Sequence, residues 1–320
     1  MNNCVGRMNE ESDPNRATDA PVADRVARSP LAIVARVVAA STLVTVLMVV
    51  GSLDVWPDSL RIVAISALWG AWGIVLLSVL VPSATSLTAV RLLLPAMAGL
   101  AVVRLVDGTD PGVWLGLGVA LLACVLVAAA EVGEHFVQSS AYGDERRFTL
   151  RCPRPMSMVL VLSWLVWFGS IFAAMALLLG NEPGDEPSGT RIAVGIACAV
   201  VGLISSIALP RRFHRFSRRW LVYVPAGLVV HDHVALAETA MFSVRDVVRL
   251  EPVARTDEAD LSAGCSGVGL AVELGDFDTV VRAATPSTPG GTAVHVRTLW
   301  VCPSRPGRAA SAWAARSPRR

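Results

Sequence analysis

The sequence predicts an α-helical membrane bundle of six transmembrane helices, followed by a small C-terminal β-rich cytoplasmic domain. Three observations carry that prediction. Apolar residues make up 53% of the 320 positions and charged residues only 17%, against about 25% charged in a soluble domain. Six stretches approach the roughly 20 apolar residues that a helix needs to cross a hydrocarbon core about 30 Å thick. Beyond residue 219 the apolar runs become short and strand-like, bounded by turn residues.

Residues 1–29 mix Arg7, Arg16, Arg25 and Arg28 with Glu10, Glu11, Asp13, Asp19 and Asp24. That is too polar for a secretory signal, so the expectation is a disordered cytoplasmic tail. The bundle occupies 30–210, with apolar stretches at 31–50, 60–81, 91–106, 113–130, 156–179 and 192–209. The third is short, contains Pro95 and carries Arg104 near its far end, so a re-entrant hairpin is its alternative. Loop charge decides in favour of a span. The connections 52–59, 107–112 and 180–190 are acidic, the last with Glu182, Asp185 and Glu186. The tail, the loop 131–155 and the segment after residue 210 hold the arginines. Six spans put every strongly basic segment on one side, with both termini cytoplasmic.

Polar groups at membrane depth mark proton relays. No acidic residue or histidine lies in the middle of a span, which argues against proton-coupled transport and leaves a lipid or neutral-solute carrier open. The fourth span carries small residues four apart, Gly112, Gly116, Ala120, Cys124 and Ala128. They form one stripe suited to close helix packing, or to ordinary Ala/Gly-rich contacts.

The loop 131–155 begins as a continuation of the fourth helix, placing Glu131, Glu134 and His135 on one face. With no second such cluster to complete a metal shell, a solvated helix end is expected, and Asp144 and Glu145 read as surface groups. From Phe148 the chain alternates, with Phe148, Leu150 and Cys152 on one face and Thr149 and Arg151 on the other. This strand either pairs with the C-terminal β-region or stays an extended linker near anionic headgroups.

The β-domain is placed at 211–306. Strands are expected at 220–224 and 228–231, joined by a Pro225-Ala226-Gly227 turn, and at 235–242, 244–250, 268–274, 279–283 and 293–301. Exposed loops are expected at 257–267 and 286–291. Residues 307–320 read as a basic tail or short helix. Such a run of strands suggests a half-barrel like that of pleckstrin-homology (PH) domains. His231, Asp232 and His233 supply only two facing imidazoles and read as a polar strand end. Arg211, Arg212, Arg215, Arg218 and Arg219 form a cluster expected to face anionic lipid headgroups, or merely to stop translocation.

All 28 basic residues are arginine, which we read as codon bias. The formal net charge of +2 implies no nucleic-acid partner. Cys4, Cys124, Cys152, Cys198, Cys265 and Cys302 show no C-x-x-C spacing, and structural disulfides are not expected in a reducing compartment. No cofactor, metal or catalytic set is read.

Residues 142–153, 218–232 (Arg-Arg-Trp-Leu-Val-Tyr-Val-Pro-Ala-Gly-Leu-Val-Val-His-Asp) and 303–307 (Pro-Ser-Arg-Pro-Gly) together resemble a family of actinobacterial integral membrane proteins without an assigned activity. The resemblance covers about residues 30 to 310. It implies the architecture and the bacterial inner membrane, and no chemistry. The first reading is therefore a non-enzymatic membrane-anchored scaffold or sensor, whose β-domain binds a partner protein or the membrane surface. A transporter or lipid-handling protein is the second reading and a membrane enzyme the third. The oligomeric state is left open.

Overall fold

The computed structural model describes residues 30–108, 110–180, 186–255, 259–284 and 288–316. The expected tail 1–29 and the acidic residues Glu182 and Asp185 lie outside the described residues, as do parts of the loops expected at 257–267 and 286–291. Helices α1 (Pro30–Ser52), α2 (Asp58–Leu80), α3 (Ala84–Asp107) and α4 (Pro111–Ala128) precede a short helix α5 (Ala130–Gln138) and strand β1 (Arg146–Thr149). Helices α6 (Arg154–Leu179) and α7 (Gly189–Ser217) follow. The chain ends in β2 (Trp220–Val224), β3 (Gly227–His231), β4 (Ala240–Ser243), β5 (Val247–Ala254), β6 (Val268–Arg282), β7 (Thr292–Val301) and α8 (Pro306–Ala314).

Six helices, α1–α4, α6 and α7, are long and apolar enough to cross a membrane. The third is a full helix of 24 residues, about 36 Å long at 1.5 Å per residue. It gains two turns before Arg91 that hydropathy alone misses, because Thr85, Ser86 and Thr88 dilute the apolar signal. Ser83 caps its start by accepting from the Ser86 N–H at 3.1 Å. Pro95 withholds one N–H from the ladder, and the Trp164 indole donates to the nearby Leu92 carbonyl at 3.1 Å.

Two arginines on the face away from the β-domain serve as helix caps. The last carbonyls of a helix lack intrahelical donors. Arg104 is buried and donates to the Ser52 carbonyl at 2.7 Å, closing α1. Arg191, at the start of α7, donates to the Leu177 and Gly180 carbonyls at 3.0 and 3.1 Å and so closes α6.

Helices α1–α4 enclose the main apolar core of the bundle. The small stripe divides. Gly112, Gly116 and Ala120 lie in the α1–α4 seam, where a Cβ on Gly116 would sit 3.2 Å from the Thr45 Cα. The same approach lets the Thr45 hydroxyl donate to the Gly116 carbonyl at 2.8 Å. Cys124 and Ala128, further along, instead line a cavity. We expect Gly116→Leu to destabilise the bundle by about 1–3 kcal/mol through overpacking. Thermal denaturation of the detergent-solubilised protein would read this, and an unchanged midpoint would refute the seam's tightness.

In the β-domain one antiparallel sheet has the order β1-β2-β3-β4 and the other β5-β6-β7. Their facing side chains share one core, into which α8 inserts Ala309 and Trp313. The Trp313 ring meets Tyr223 edge-on at 5.2 Å. The β2–β3 hairpin forms as the turn chemistry predicts. Two expectations need correcting. Of the segment 235–242 only residues 240–242 belong to a strand, β4, because Leu236 follows the Asp232 turn, with its N–H on the Asp232 carbonyl at 2.7 Å, and bridges Arg282 of β6 instead. The strands expected at 268–274 and 279–283 are one strand, β6, which runs through an irregularity between Glu273 and Asp278. Of the two expectations for the segment from 307, a short helix is the one observed, over Pro306–Ala314, and it packs into the core.

Candidate functional site

The chemistry-bearing groups converge where the β-domain meets the bundle. Strand β1 reaches this junction from the loop between α5 and α6, and pairs antiparallel with β2 in the register Arg146↔Tyr223 to Thr149↔Trp220. Of the two expectations for this segment, strand pairing is the one observed. The pairing continues past the strand: Leu150 donates its N–H to the Arg219 carbonyl at 3.0 Å, and Arg151 donates its own to the Cys302 carbonyl at 2.8 Å. Phe148 and Leu150, the predicted inward face, are buried in the sheet core.

Beneath β1 lies the Arg219–Asp232 pair. Arg219 is 2% exposed and Asp232 1% exposed. The guanidinium donates from Nε and Nη2 to the two carboxylate oxygens at 2.8 and 2.7 Å, the bidentate geometry that favours arginine. A third donation reaches the Arg151 carbonyl at 3.2 Å. Asp232 also accepts from the Val234 and Ala235 N–H groups. Burial opposes the charge on Arg219, but Asp232 more than offsets it and holds the guanidinium pKa above its ordinary value. Arg219 therefore does not belong to a headgroup-facing cluster, because its side chain is consumed inside the domain. Arg211, Arg212, Arg215 and Arg218 are exposed. Asp232 is likewise no exposed strand end. His231 stacks on Trp220 with ring centroids 5.5 Å apart, and His233 lies 5.8 Å from His231.

Three cysteines far apart in sequence collect around this pair. The Cys265 thiol donates to the Arg151 carbonyl at 3.1 Å, and the neighbouring Cys302 thiol lowers its pKa against the opposing effect of burial. Arg219 and Arg151 act in the same direction. Burial pushes the Cys152 thiol up. Cys265, Cys302 and Trp300 form a small buried cluster. Nothing in the spacing announced it, because the three thiols come from three different loops and strands. Among the described residues, no group of three or more His, Cys, Asp or Glu side chains is arranged to hold a metal ion.

The loop 131–155 also departs from expectation. The chain breaks at Ala129, whose ψ of 140° ends α4, and α5 starts as a separate helix. Glu134 and His135 are buried at 6% and 7% exposure, so the solvated helix end is overturned. The cause is the packing of α5 against β1, α1, α3 and α4, and the C-terminal segment brings Arg308 and Arg305 to 3.4 and 3.8 Å from Glu134. Glu131 is 3.6 Å from Arg305. Burial raises the Glu134 pKa, with Arg308 and Arg305 working against it. Glu145, read as a surface group, is paired with Arg147 at 2.7 Å and only 26% exposed at its side chain.

Between these layers and the bundle lies a cavity of about 620 Å³. Helices α3, α4, α6 and α7 form its lower walls, and the segment 149–152 with Arg219 and Ser304 forms its roof. Arg91, Arg151 and Arg219 line it, and among the described residues no acidic one does. A second cavity of about 260 Å³ between α2, α3 and α6 is lined by apolar side chains such as Leu68, Met97, Phe168 and Phe172. No family model matches this sequence, and neither a curated protein nor a solved structure matches it.

Proposed function

We propose that this chain is a non-enzymatic membrane-anchored sensor or scaffold of the bacterial inner membrane, with its β-domain in the cytoplasm. The observation that carries this reading is the β1 insertion. The domain is no tethered appendage: its first strand is supplied by the bundle, so a change in α5 or α6 is felt in the sheet.

Charge supports the orientation. Arg154, Arg211, Arg212, Arg215 and Arg218 flank helix ends on the β-domain face, as the positive-inside rule requires. On the opposite face Arg61 is held by Asp54 and Asp58, and Arg104 and Arg191 by carbonyls. Four strands against three, closed by a C-terminal helix, is also the arrangement expected of a PH-like half-barrel, an analogy of fold alone.

For a protein partner the domain offers the side chain of Phe277, 72% exposed, which projects from the irregular part of β6. The test is extraction of the full chain from native membranes in lipid particles, with mass spectrometry of what remains bound. A stoichiometric protein companion that is lost in Phe277→Asp supports the reading. A stoichiometric solute or lipid with no protein companion replaces it with transport or lipid handling.

A further inference from the structure

We infer that the 620 Å³ junction cavity is a binding site for one anionic phospholipid drawn from the leaflet that faces the β-domain, with Arg91 holding its phosphate. The inference rests on the membrane reading and is independent of any protein partner.

The charge pattern comes first. Three guanidinium groups line the cavity, and among the described residues no carboxylate does. Two of the three are committed. Arg219 is locked to Asp232, and Arg151 donates to the Ser266 carbonyl at 2.7 Å. Arg91 makes no hydrogen bond or ion pair with any described residue. An arginine cannot shed its charge, and a cation held in low-polarity surroundings without an anion is costly. A phosphate supplies the missing anion in the planar geometry that guanidinium favours.

Placement argues for a lipid rather than a free solute. Arg91 lies seven residues into α3 from its β-domain end, about 10 Å along the axis. That is the depth at which headgroup gives way to acyl chain. Around and below it the lining is apolar, with Leu160 of α6 at a similar depth and Leu94 a turn deeper on α3. Among the described residues α4 makes no substantial contact with α6, so the cavity separates the two helices on this side of the bundle. The volume falls within the roughly 300–1,000 Å³ of small-molecule sites, enough for a headgroup and the first part of its chains.

Gly133 of α5 completes the cradle. A Cβ there would come within 3.2 Å of Arg91 Nη2, so this glycine leaves the guanidinium its place. Pro95, one turn on from Arg91, also lines the cavity. It withholds the N–H that would occupy the Arg91 carbonyl, which leaves an acceptor for a headgroup hydroxyl beside the phosphate donor.

The experiment uses the full chain, stripped in detergent and then exposed to equal phosphatidylglycerol and phosphatidylcholine, with native mass spectrometry of what is retained. We expect one phosphatidylglycerol per chain. Its preference over phosphatidylcholine should fall about tenfold or more in Arg91→Gln, the loss of one charge-assisted contact, and be partly kept in Arg91→Lys. Leu160→Trp fills the apolar arm and should reduce retention with the charge intact. It serves as the second variant, and thermal midpoints equal to wild type show that both fold. Equal retention of the two lipids, or a preference unchanged by Arg91→Gln, would overturn the site. Displacement by millimolar inorganic phosphate would overturn the lipid assignment in favour of a soluble phosphate ester.

Discussion

Replacing Asp232 with alanine should destabilise the β-domain by about 3–5 kcal/mol, the usual cost of leaving one member of a buried ion pair alone. Arg219 is left with its carbonyl contact to Arg151 and no counter-charge, in a position 2% exposed. The turn after β3 also loses the two N–H groups that Asp232 accepts. Arg219→Met should cost less, because Asp232 keeps those two backbone donors. The double variant Arg219→Met/Asp232→Leu should recover most of the loss, since an apolar pair of similar volume needs no desolvation of charge. Maleimide labelling of the buried Cys265 and Cys302 in the full chain reads all three. Fast labelling in Asp232→Ala, intermediate in Arg219→Met and near wild type in the double variant is the expected order. Labelling of Asp232→Ala as slow as wild type would show that the pair does not hold the domain.

Trp300→Ala should cost a similar amount, about 3–5 kcal/mol. The side chain is 0% exposed, and its indole N–H donates to the Val253 carbonyl at 3.3 Å. Its ring fills the space over Gly269, where a Cβ would come within 2.5 Å. Its backbone is tied on both sides, to the Ala259 carbonyl and the Leu261 N–H. Removing the ring opens a void among Cys265, Cys302 and β6 that the rigid three-stranded sheet cannot collapse to fill. Trp300→Phe should be intermediate, keeping bulk but orphaning the Val253 carbonyl. Gly269→Ala should approach the alanine variant from the opposite direction, by overpacking. Circular dichroism of the detergent-solubilised chain during heating separates these outcomes, and a Trp300→Ala midpoint within a degree of wild type would refute the packing account.

Both predictions concern groups that were visible in sequence and misjudged or passed over there. Arg219 ends an arginine-rich segment, and nothing local distinguishes it from Arg218. They part because α7 ends at Ser217 and β2 begins at Trp220, which turns one side chain inward and leaves the other exposed. Glu134 shows the same limit. Its helix is amphipathic enough to suggest a wet face, and only packing against β1 and the bundle, with Arg305 and Arg308 arriving from more than 160 residues later, buries it.

The six apolar helices, the β2–β3 hairpin and the alternating face of β1 were set by the sequence itself. Each is a local property: a helix or a tight hairpin satisfies its own backbone hydrogen bonds, so length, hydropathy and turn residues suffice. Tertiary structure alone decided the partner of β1, the fate of Arg219 and Asp232, the meeting of Cys152, Cys265 and Cys302, and the arginine-lined cavity. Those features join segments separated by tens to hundreds of residues. Their energies arise only when side chains from different elements are desolvated together, and no local pattern in the chain records that event.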